Sequence, residues 1–403
     1  MPDKVHFRNL GTLWAVRLTP VFIVAAISFA TYDVVAYLCF QYLHARRGET
    51  GVAVALAVLY LLFLLLTIAT YLRTFITVQR DPAMVPLPPG REPIEKPPVR
   101  RRNRRDDDLE VAPWTPPDVN PDSPGLEAFY SRAVFQCDVD GRPKWCSECR
   151  NWKPDRSHHS SELGRCIRKL DHVCPWVGGM VSETSFNFFI QFTFYCTLLC
   201  TVSLAAGAYC LSLQLREDNS LDGRSVAIII LAGFFGFFTF GMTLTSGRYA
   251  LLNITNIDML RKSQAYHLAI RLPQNATTQQ GFSTMTYPLA RESTWSEHGG
   301  QSANNEEQTH PTSARDERAT HTFAIIRTGP DENPWDLGYW RNFKSVMGNN
   351  IIEWLLPIKH SPCCNHESME SDYEMGGLIQ ELKQRYNLPA ESGKAAAGNH
   401  RTL

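Results

Sequence analysis

Four long apolar blocks constrain this chain more than any other feature. They run about Pro20 to Phe40, Val52 to Leu72, Phe188 to Leu211 and Val226 to Thr245. Each is long enough, as a helix, to cross a hydrocarbon core of about 30 Å. A single block would also suit a buried helix of a soluble domain, but four of them, separated by very polar segments, do not. The averages, 44% hydrophobic and 20% charged with zero formal net charge over 403 residues, conceal that segregation. The expected fold is an all-α polytopic membrane protein with four transmembrane helices and sizeable aqueous parts. Asp33 is the one costly residue in the first block, and it is expected to face other helices or lie near the interface. The first block starts too far in, is too long and lacks a small-residue cleavage site, so no cleavable signal peptide is expected.

Lysine and arginine near the membrane ends set the orientation. Lys4, Arg8 and Arg17 precede the first block, Arg100 to Arg102, Arg104, Arg105, Arg165 and Arg168 lie between the second and third, and Arg248, Arg261 and Lys262 follow the fourth. Arg46 and Arg47 in the first short loop dissent. On balance the termini and the long middle segment are cytosolic, a reducing setting in which disulfides are not expected. The charges do not distinguish an endomembrane, a vacuolar membrane or the plasma membrane.

The chain divides accordingly. Residues 1–19 form a cytosolic N-terminus, 20–72 the first two spans, and 73–140 a Pro-rich cytosolic linker whose RRRNRRDDD run is a solvated, self-neutralising tract. Residues 141–187 form a compact cysteine-rich module, 188–246 the last two spans, and 247–273 a juxtamembrane segment. Residues 274–330 are expected to be disordered, because Gln274 to Thr320 offers too little apolar surface to fold alone. Asn275-Ala-Thr277 matches a glycosylation triplet made inert by its cytosolic side. In 331–357, Trp335, Leu337, Trp340, Phe343, Val346 and Trp354 supply an apolar face, and 358–403 is a flexible tail, frayed from Ser392.

The chemistry-bearing residues sit in the cysteine-rich module. Cys146-x2-Cys149 has the spacing of a zinc knuckle, and also of a redox pair. His159 and Cys166 supply two further ligand types and complete a tetrahedral set, with His158 competing for the imidazole position. Cys174 is then left over, two residues after His172, which follows Asp171. That order suits a thiol nucleophile with an adjacent base and an orienting carboxylate; it also suits a spare thiol beside a surface histidine. Position favours the first reading, because a thiol about a dozen residues before a span lies where an acyl chain reaches it.

At this point the residues resemble a family, the DHHC-type protein S-acyltransferases, which palmitoylate cysteines of other proteins. Its cysteine-rich domain reads C-x2-C-x9-H-C-x2-C-x2-C-x4-D-H-H-C-P-W and lies between the second and third of four spans. Cys146, Cys149, Lys153-Pro154, Arg156, His159, Cys166, Asp171, His172, Cys174, Pro175 and Trp176 fall on that pattern without a gap. Asp81-Pro82-Ala83 is similar to the family's Asp-Pro-Gly, Thr255-Asn256-Ile257-Asp258 to its Thr-Thr-x-Glu, and NPWDLGYWRNFKSVMG to its C-terminal aromatic motif. The signature here, DHVC, is that of a divergent, fungal-like member.

The resemblance implies two zinc sets, of which only Cys146, Cys149, His159 and Cys166 are complete. Ser160, Leu163, Val173 and Met180 replace the whole second set. One structural zinc is therefore expected, with Leu163, Val173 and Met180 joining a small apolar cluster in place of the other. Gly179, Ser182 and Ser185, where the family has Asn, Gly and Asn, are expected to loosen the entry to the third span.

The resemblance further implies a two-step reaction. Cys174 takes a long-chain acyl group from palmitoyl-CoA and passes it to a membrane-proximal cytosolic cysteine of a protein substrate, with His172 as base and Asp171 as its orienter. The partners are thus acyl-CoA, substrate proteins and the bilayer, with no nucleic acid. The acyl chain belongs in a cavity among the four helices. Phe186, Phe188 and Phe189 line its mouth or sit at the bilayer interface, and Cys363 and Cys364 are either acylated themselves or ordinary exposed thiols. The rival function is a catalytically inactive zinc-binding membrane scaffold; a metal transporter fails because the ligand-like residues lie outside the spans.

Overall fold

The computed structural model describes residues 10–87, 125–218, 221–260, 265–273, 281–287, 321–364 and 373–389. The arginine run at 100–105, Arg261 and Lys262, the Asn275 triplet and the tail from Ser392 lie outside these residues.

Among the described residues, four helices are long and apolar enough to span a membrane: Gly11–Arg46, Thr50–Arg80, Phe186–Arg216 and Gly223–Leu252. Helix α1 (Leu10–Thr31) passes into a wider π-type stretch, Tyr32–Arg46. Helix α2 (Thr50–Arg80) runs about two turns beyond the apolar block, which stops at Leu72. Threonine makes the extension possible. Thr70, Thr74 and Thr77 return their hydroxyls to the carbonyls of Leu66, Thr70 and Arg73 at 2.7, 2.7 and 2.8 Å, so these threonines are satisfied within the helix. After the short α3 (Glu127–Tyr130) come α4 (Phe186–Leu213) and α5 (Gly223–Leu252). Asp222 caps α5 by accepting from the Arg224 N–H at 3.2 Å, and Asn253 ends it in the left-handed conformation with φ of 48°. Asp33 is 2% exposed, so it faces other helices rather than lipid.

The chain separates into two compact units, one from 1–85, 156–262 and 335–376, the other from 86–155, 263–334 and 377–403. The first holds the four spans and two small hairpins, β4 (Ser157–Ser160) with β5 (Arg165–Arg168) and β6 (His172–Cys174) with β7 (Gly179–Val181). It also holds α6 (Asn256–Leu260), α7 (Tyr339–Met347) and α8 (Ile351–Leu355). Within the aromatic motif, Val346 is buried and Phe343 and Trp354 pack beside it; Trp335 is also buried, while Trp340 is largely exposed and stacks on Phe343.

The second unit is built on an antiparallel sheet of order β1-β8-β10-β9, from β1 (Val134–Cys137), β8 (His267–Arg271), β10 (His321–Arg327) and β9 (Ser283–Tyr287). The hairpin β2 (Trp145–Cys146) with β3 (Asn151–Trp152) and helix α9 (Leu378–Arg385) belong to the same unit. Its core is aromatic: Phe135 meets Phe129, Tyr287 and Phe323 edge-on at 5.7, 6.0 and 5.2 Å between ring centres.

This sheet corrects the sequence reading in two places. Strand β1 and helix α3 fall in 73–140, expected to be linker, and β9 and β10 fall in 274–330, expected to be disordered. The expectation that 274–320 cannot fold alone misses that it need not: β9 completes its ladder on β10, and β10 on β8. Elsewhere the mostly helical, four-span architecture is the one the apolar blocks predict.

Candidate active site

The β6–β7 hairpin explains how one tripeptide serves two environments. Side chains alternate along a strand, so His172 and Cys174 share one face and Val173 takes the other. On the first face Cys174, 4% exposed, packs with Val177, Phe186 and Phe189, and the His172 ring meets Phe189 edge-on at 5.3 Å. On the second, Val173 lies cross-strand from Met180, and both join Leu163, Ile167, Leu170 and Ala83 in an apolar cluster. Three of the four residues standing in the second ligand set thus pack together as apolar surface. Ser160, the fourth, accepts from the Leu163 N–H at 3.3 Å and closes the turn between β4 and β5.

Asp171 and His172 are joined through Oδ2 and Nδ1 at 2.6 Å, which leaves Nε2 to exchange protons. Burial opposes a charge on His172, but the Asp171 carboxylate and the Cys174 sulfur outweigh it and raise the imidazole to about 10. At neutral pH the ring is an imidazolium, the partner a thiolate requires. Asp171 is itself anchored, because Oδ1 accepts from the backbone N–H of Asn256 at 2.9 Å. The turn that presents this N–H is held in turn. Asp258 accepts from the Thr255 N–H at 3.0 Å and pairs with Arg156 at 2.9 Å, and Arg156 also donates twice to Asn253 at 2.9 Å. The Thr255 to Asp258 motif therefore acts on Asp171 through a main-chain donor. No sequence pattern shows such a bond.

Cys174 opens onto a cavity of about 110 Å³ inside the helical unit. All four spans line it: Ile23 to Ala30 from α1, Tyr60 from α2, Phe189 to Ser203 from α4 and Ile228 to Met242 from α5, with Trp176 beside the thiol. From Phe189 to Ser203 the helix rises about 21 Å. The wall is almost wholly apolar, and Tyr60, hydrogen-bonded to Thr31 at 3.0 Å, stands in the stretch remote from Cys174. Phe189 lines this cavity, Phe186 packs against Cys174, and Phe188 lies under the Arg73 guanidinium at 5.0 Å. All three are buried, so they pack inside the protein rather than against lipid.

The entry to α4 is tightly fixed, contrary to the looseness expected from Gly179, Ser182 and Ser185. Ser182 and Thr184 donate to the carbonyls of Pro82 and Asp81 at 3.1 and 2.6 Å, and Ser185 accepts from the Ser182 N–H at 3.1 Å. Gly179 is required where it stands, since a Cβ there would meet Val78 at 2.9 Å. The segment packs directly on Asp81 and Pro82, which follow α2, and the small hydroxyl side chains of Ser182 and Thr184 bond to them there.

Cys146, Cys149, His159 and Cys166 form a metal-type group, with their ligand atoms all within 4.8 Å of one another. Zinc bound by thiolates at about 2.3 Å in a tetrahedron asks for ligand separations of about 3.8 Å, so the set fits. Cys146 Sγ also accepts from the Cys149 N–H at 3.4 Å, the hydrogen bond a tight knuckle offers a thiolate. His159, not His158, belongs to the group: strand alternation sends the two rings to opposite faces of β4, and His159 lies opposite Cys166.

Comparison with known proteins places these features in a family. The family model described as DHHC palmitoyltransferase matches residues 139–263. A protein named palmitoyltransferase pfa5 from Emericella nidulans is 36% identical, over 95% of this chain and 87% of its own length. Another of that name from Aspergillus fumigatus is 35% identical, over 94% of this chain and 92% of its own. The palmitoyltransferase ZDHHC15 of Rattus norvegicus is 24% identical over 58% of this chain and 52% of its own.

Proposed function

Since this chain belongs to the DHHC palmitoyltransferase family and is a protein S-palmitoyltransferase, we propose that Cys174 carries the acyl group, that His172 moves the protons and that Asp171 orients it. The observation that carries the assignment is the position of Cys174, on one strand face with an imidazolium and at the mouth of an apolar cavity. A long-chain acyl-CoA lays its chain in that cavity, where each buried CH2 contributes about 0.8 kcal/mol.

In the first step the Cys174 thiolate attacks the thioester carbonyl. The carbon–sulfur bond to coenzyme A breaks, and the departing thiolate takes the proton of the His172 imidazolium. His172, now neutral, removes the proton from a substrate cysteine, whose sulfur attacks the acyl-enzyme and releases Cys174 as thiolate. Thioester exchange is nearly isoenergetic, so the residues supply ionisation and position rather than driving force. Substrate cysteines are membrane-proximal and cytosolic in this reading, in keeping with the lysine and arginine distribution.

Cys146, Cys149, His159 and Cys166 would hold one zinc, which supplies folding free energy to a module poor in aliphatic residues. No step of the transfer needs that ion. The inactive-scaffold alternative is not favoured, because the reacting triplet is intact and the relatives are named as palmitoyltransferases.

The test is to incubate purified protein with labelled palmitoyl-CoA. A hydroxylamine-sensitive label is expected on the wild type and not on Cys174→Ser. A label that survives the substitution, or none on the wild type, overturns the assignment.

A further inference from the structure

Cys363 and Cys364 have no role in the transfer proposed above, and neither is the ordinary exposed thiol of the sequence reading: both are half-buried. Their surroundings differ. Cys364 Sγ donates to the carbonyl of Glu183 at 3.0 Å, which keeps it a thiol. Cys363 Sγ lies 3.8 Å from Nζ of Lys169, and its backbone is pinned there by a hydrogen bond from its N–H to the Ser345 carbonyl at 3.1 Å.

Lys169 is 4% exposed, and burial holds its ammonium below the ordinary value, so a charge there needs a counter-charge. Asn253 Oδ1, at 3.1 Å, is neutral. Glu183, the nearby carboxylate, is engaged by Arg168 at 2.8 Å and by the Tyr373 hydroxyl. The cationic neighbour Arg156 is spent on Asp258 and Asn253. Among the described residues, the group left to face Lys169 as a counter-charge is the sulfur of Cys363. Lys169 reaches it from a left-handed backbone, φ of 43°, with its N–H on the carbonyl of Arg156, which is also left-handed at 60°. Strain of this kind persists where the surroundings over-determine a position.

A cavity of about 360 Å³ opens at Cys363, and among the described residues its wall includes Lys169, Arg341 and Lys344 against the carboxylate of Glu374. Arg341 and Glu374 are exposed and pair with each other, so the cavity reaches solvent at that rim. The wall is mixed, with Leu337, Pro362 and Tyr373 beside the cations and the amides of Asn253 and Asn349, so it offers an anion charged partners that the acyl cavity at Cys174 lacks.

We propose that Cys363 is a second reactive thiol, distinct from Cys174, that takes an anionic low-molecular-weight disulfide of the glutathione type into this cavity as a mixed disulfide. The Cys363 thiolate attacks one sulfur of the disulfide and a new S–S bond forms. The old S–S bond breaks, the released thiolate leaves with the electron pair and takes a proton from water, and the retained half keeps its carboxylates among the cations. The adjacent Cys364 sulfur and the charge of Lys169 favour this, drawing the Cys363 thiol down to about 6 against its burial.

The experiment uses the full chain carrying Cys174→Ser, at pH 7, with glutathione disulfide and with the neutral hydroxyethyl disulfide, and follows each cysteine by peptide mass spectrometry. Cys363 is expected to react with glutathione disulfide about tenfold faster than Cys364. Arg341→Gln with Lys344→Gln, both at the cavity rim, is expected to slow that reaction several-fold and leave the neutral disulfide unaffected. Equal rates at Cys363 and Cys364, or equal slowing of both disulfides, would overturn the proposal. The assay involves no acyl transfer, so its failure leaves the function of Cys174 untouched.

Discussion

Val173 sits between two residues of the proposed triplet and points away from it, because strand alternation turns it toward Met180 and Leu163. The same alternation makes Asp171→Asn an informative substitution. His172 is held at about 10, against its burial, by Asp171 and Cys174. The stability gained from that raised value is complete below the ordinary 6.5 and is lost as pH rises through about 10. Without the carboxylate the histidine falls toward its ordinary value. Autoacylation by the wild type should therefore decline only near pH 10, whereas in Asp171→Asn the declining limb moves to lower pH and the maximum rate drops about 10²-fold or more. An unmoved limb would show that Asp171 does not act through His172. The apolar cluster makes a separate prediction: Met180→Ala should cost about 2–5 kcal/mol of stability while zinc per chain stays unchanged. Thermal unfolding read beside metal analysis checks both halves. The proposed triplet and the metal-type group of Cys146, Cys149, His159 and Cys166 could be picked out in the sequence because side chains carry them. The Asn256 N–H that anchors Asp171 was not, since every residue but proline offers the same donor.

Helices and strands differ in how much of themselves they disclose. The spans are legible from composition, but which side of each helix faces the cavity is not, because the apolar blocks are apolar all round. Tyr60 looks like any other aromatic in VALAVLYLLFLLL, yet it lines the cavity wall and its hydroxyl meets Thr31. Tyr60→Ala should lengthen the cavity and shift donor preference toward longer chains. Each additional buried methylene is worth about fourfold in relative affinity. Competition between acyl-CoAs of different length measures this, and an unchanged preference would remove Tyr60 from that role. Packing between α2 and β7 gives a second check at this scale. Gly179→Ala forces a Cβ onto Val78 and should cost about 1–3 kcal/mol, visible as a lower thermal midpoint. Strand β10 did carry a local signal, the apolar run Phe323-Ala-Ile-Ile326 inside a polar stretch. Averaging over the surrounding glutamine, asparagine and serine hid it. Strand β9, Ser-Thr-Met-Thr-Tyr, carries almost none.

At the scale of the whole chain, two kinds of stability should be separable by metal removal. Each span satisfies its backbone hydrogen bonds internally, so the four helices need lipid or detergent and not an ion. The second unit's sheet draws β1, β8, β9 and β10 from distant parts of the chain, and no local reading of the sequence could assemble it; its aromatic core holds it without a metal. The hairpins around Cys146 to Cys166 differ: their strands are two or four residues long, and much of what they bury is charged or ligand-type, so a bound ion would add what an apolar core does not. A strong chelator is expected to release one zinc per chain and abolish autoacylation, because His172 and Cys174 lie on the strand that follows these hairpins. Helical circular dichroism should survive nearly intact in the same sample, and zinc added back before aggregation should restore the label. Release of two ions would refute the single-site assignment. Activity that outlasts the zinc would show that the hairpins are held by packing alone, and collapse of the helical signal together with the metal would mean that the spans are not the independent element their sequence describes.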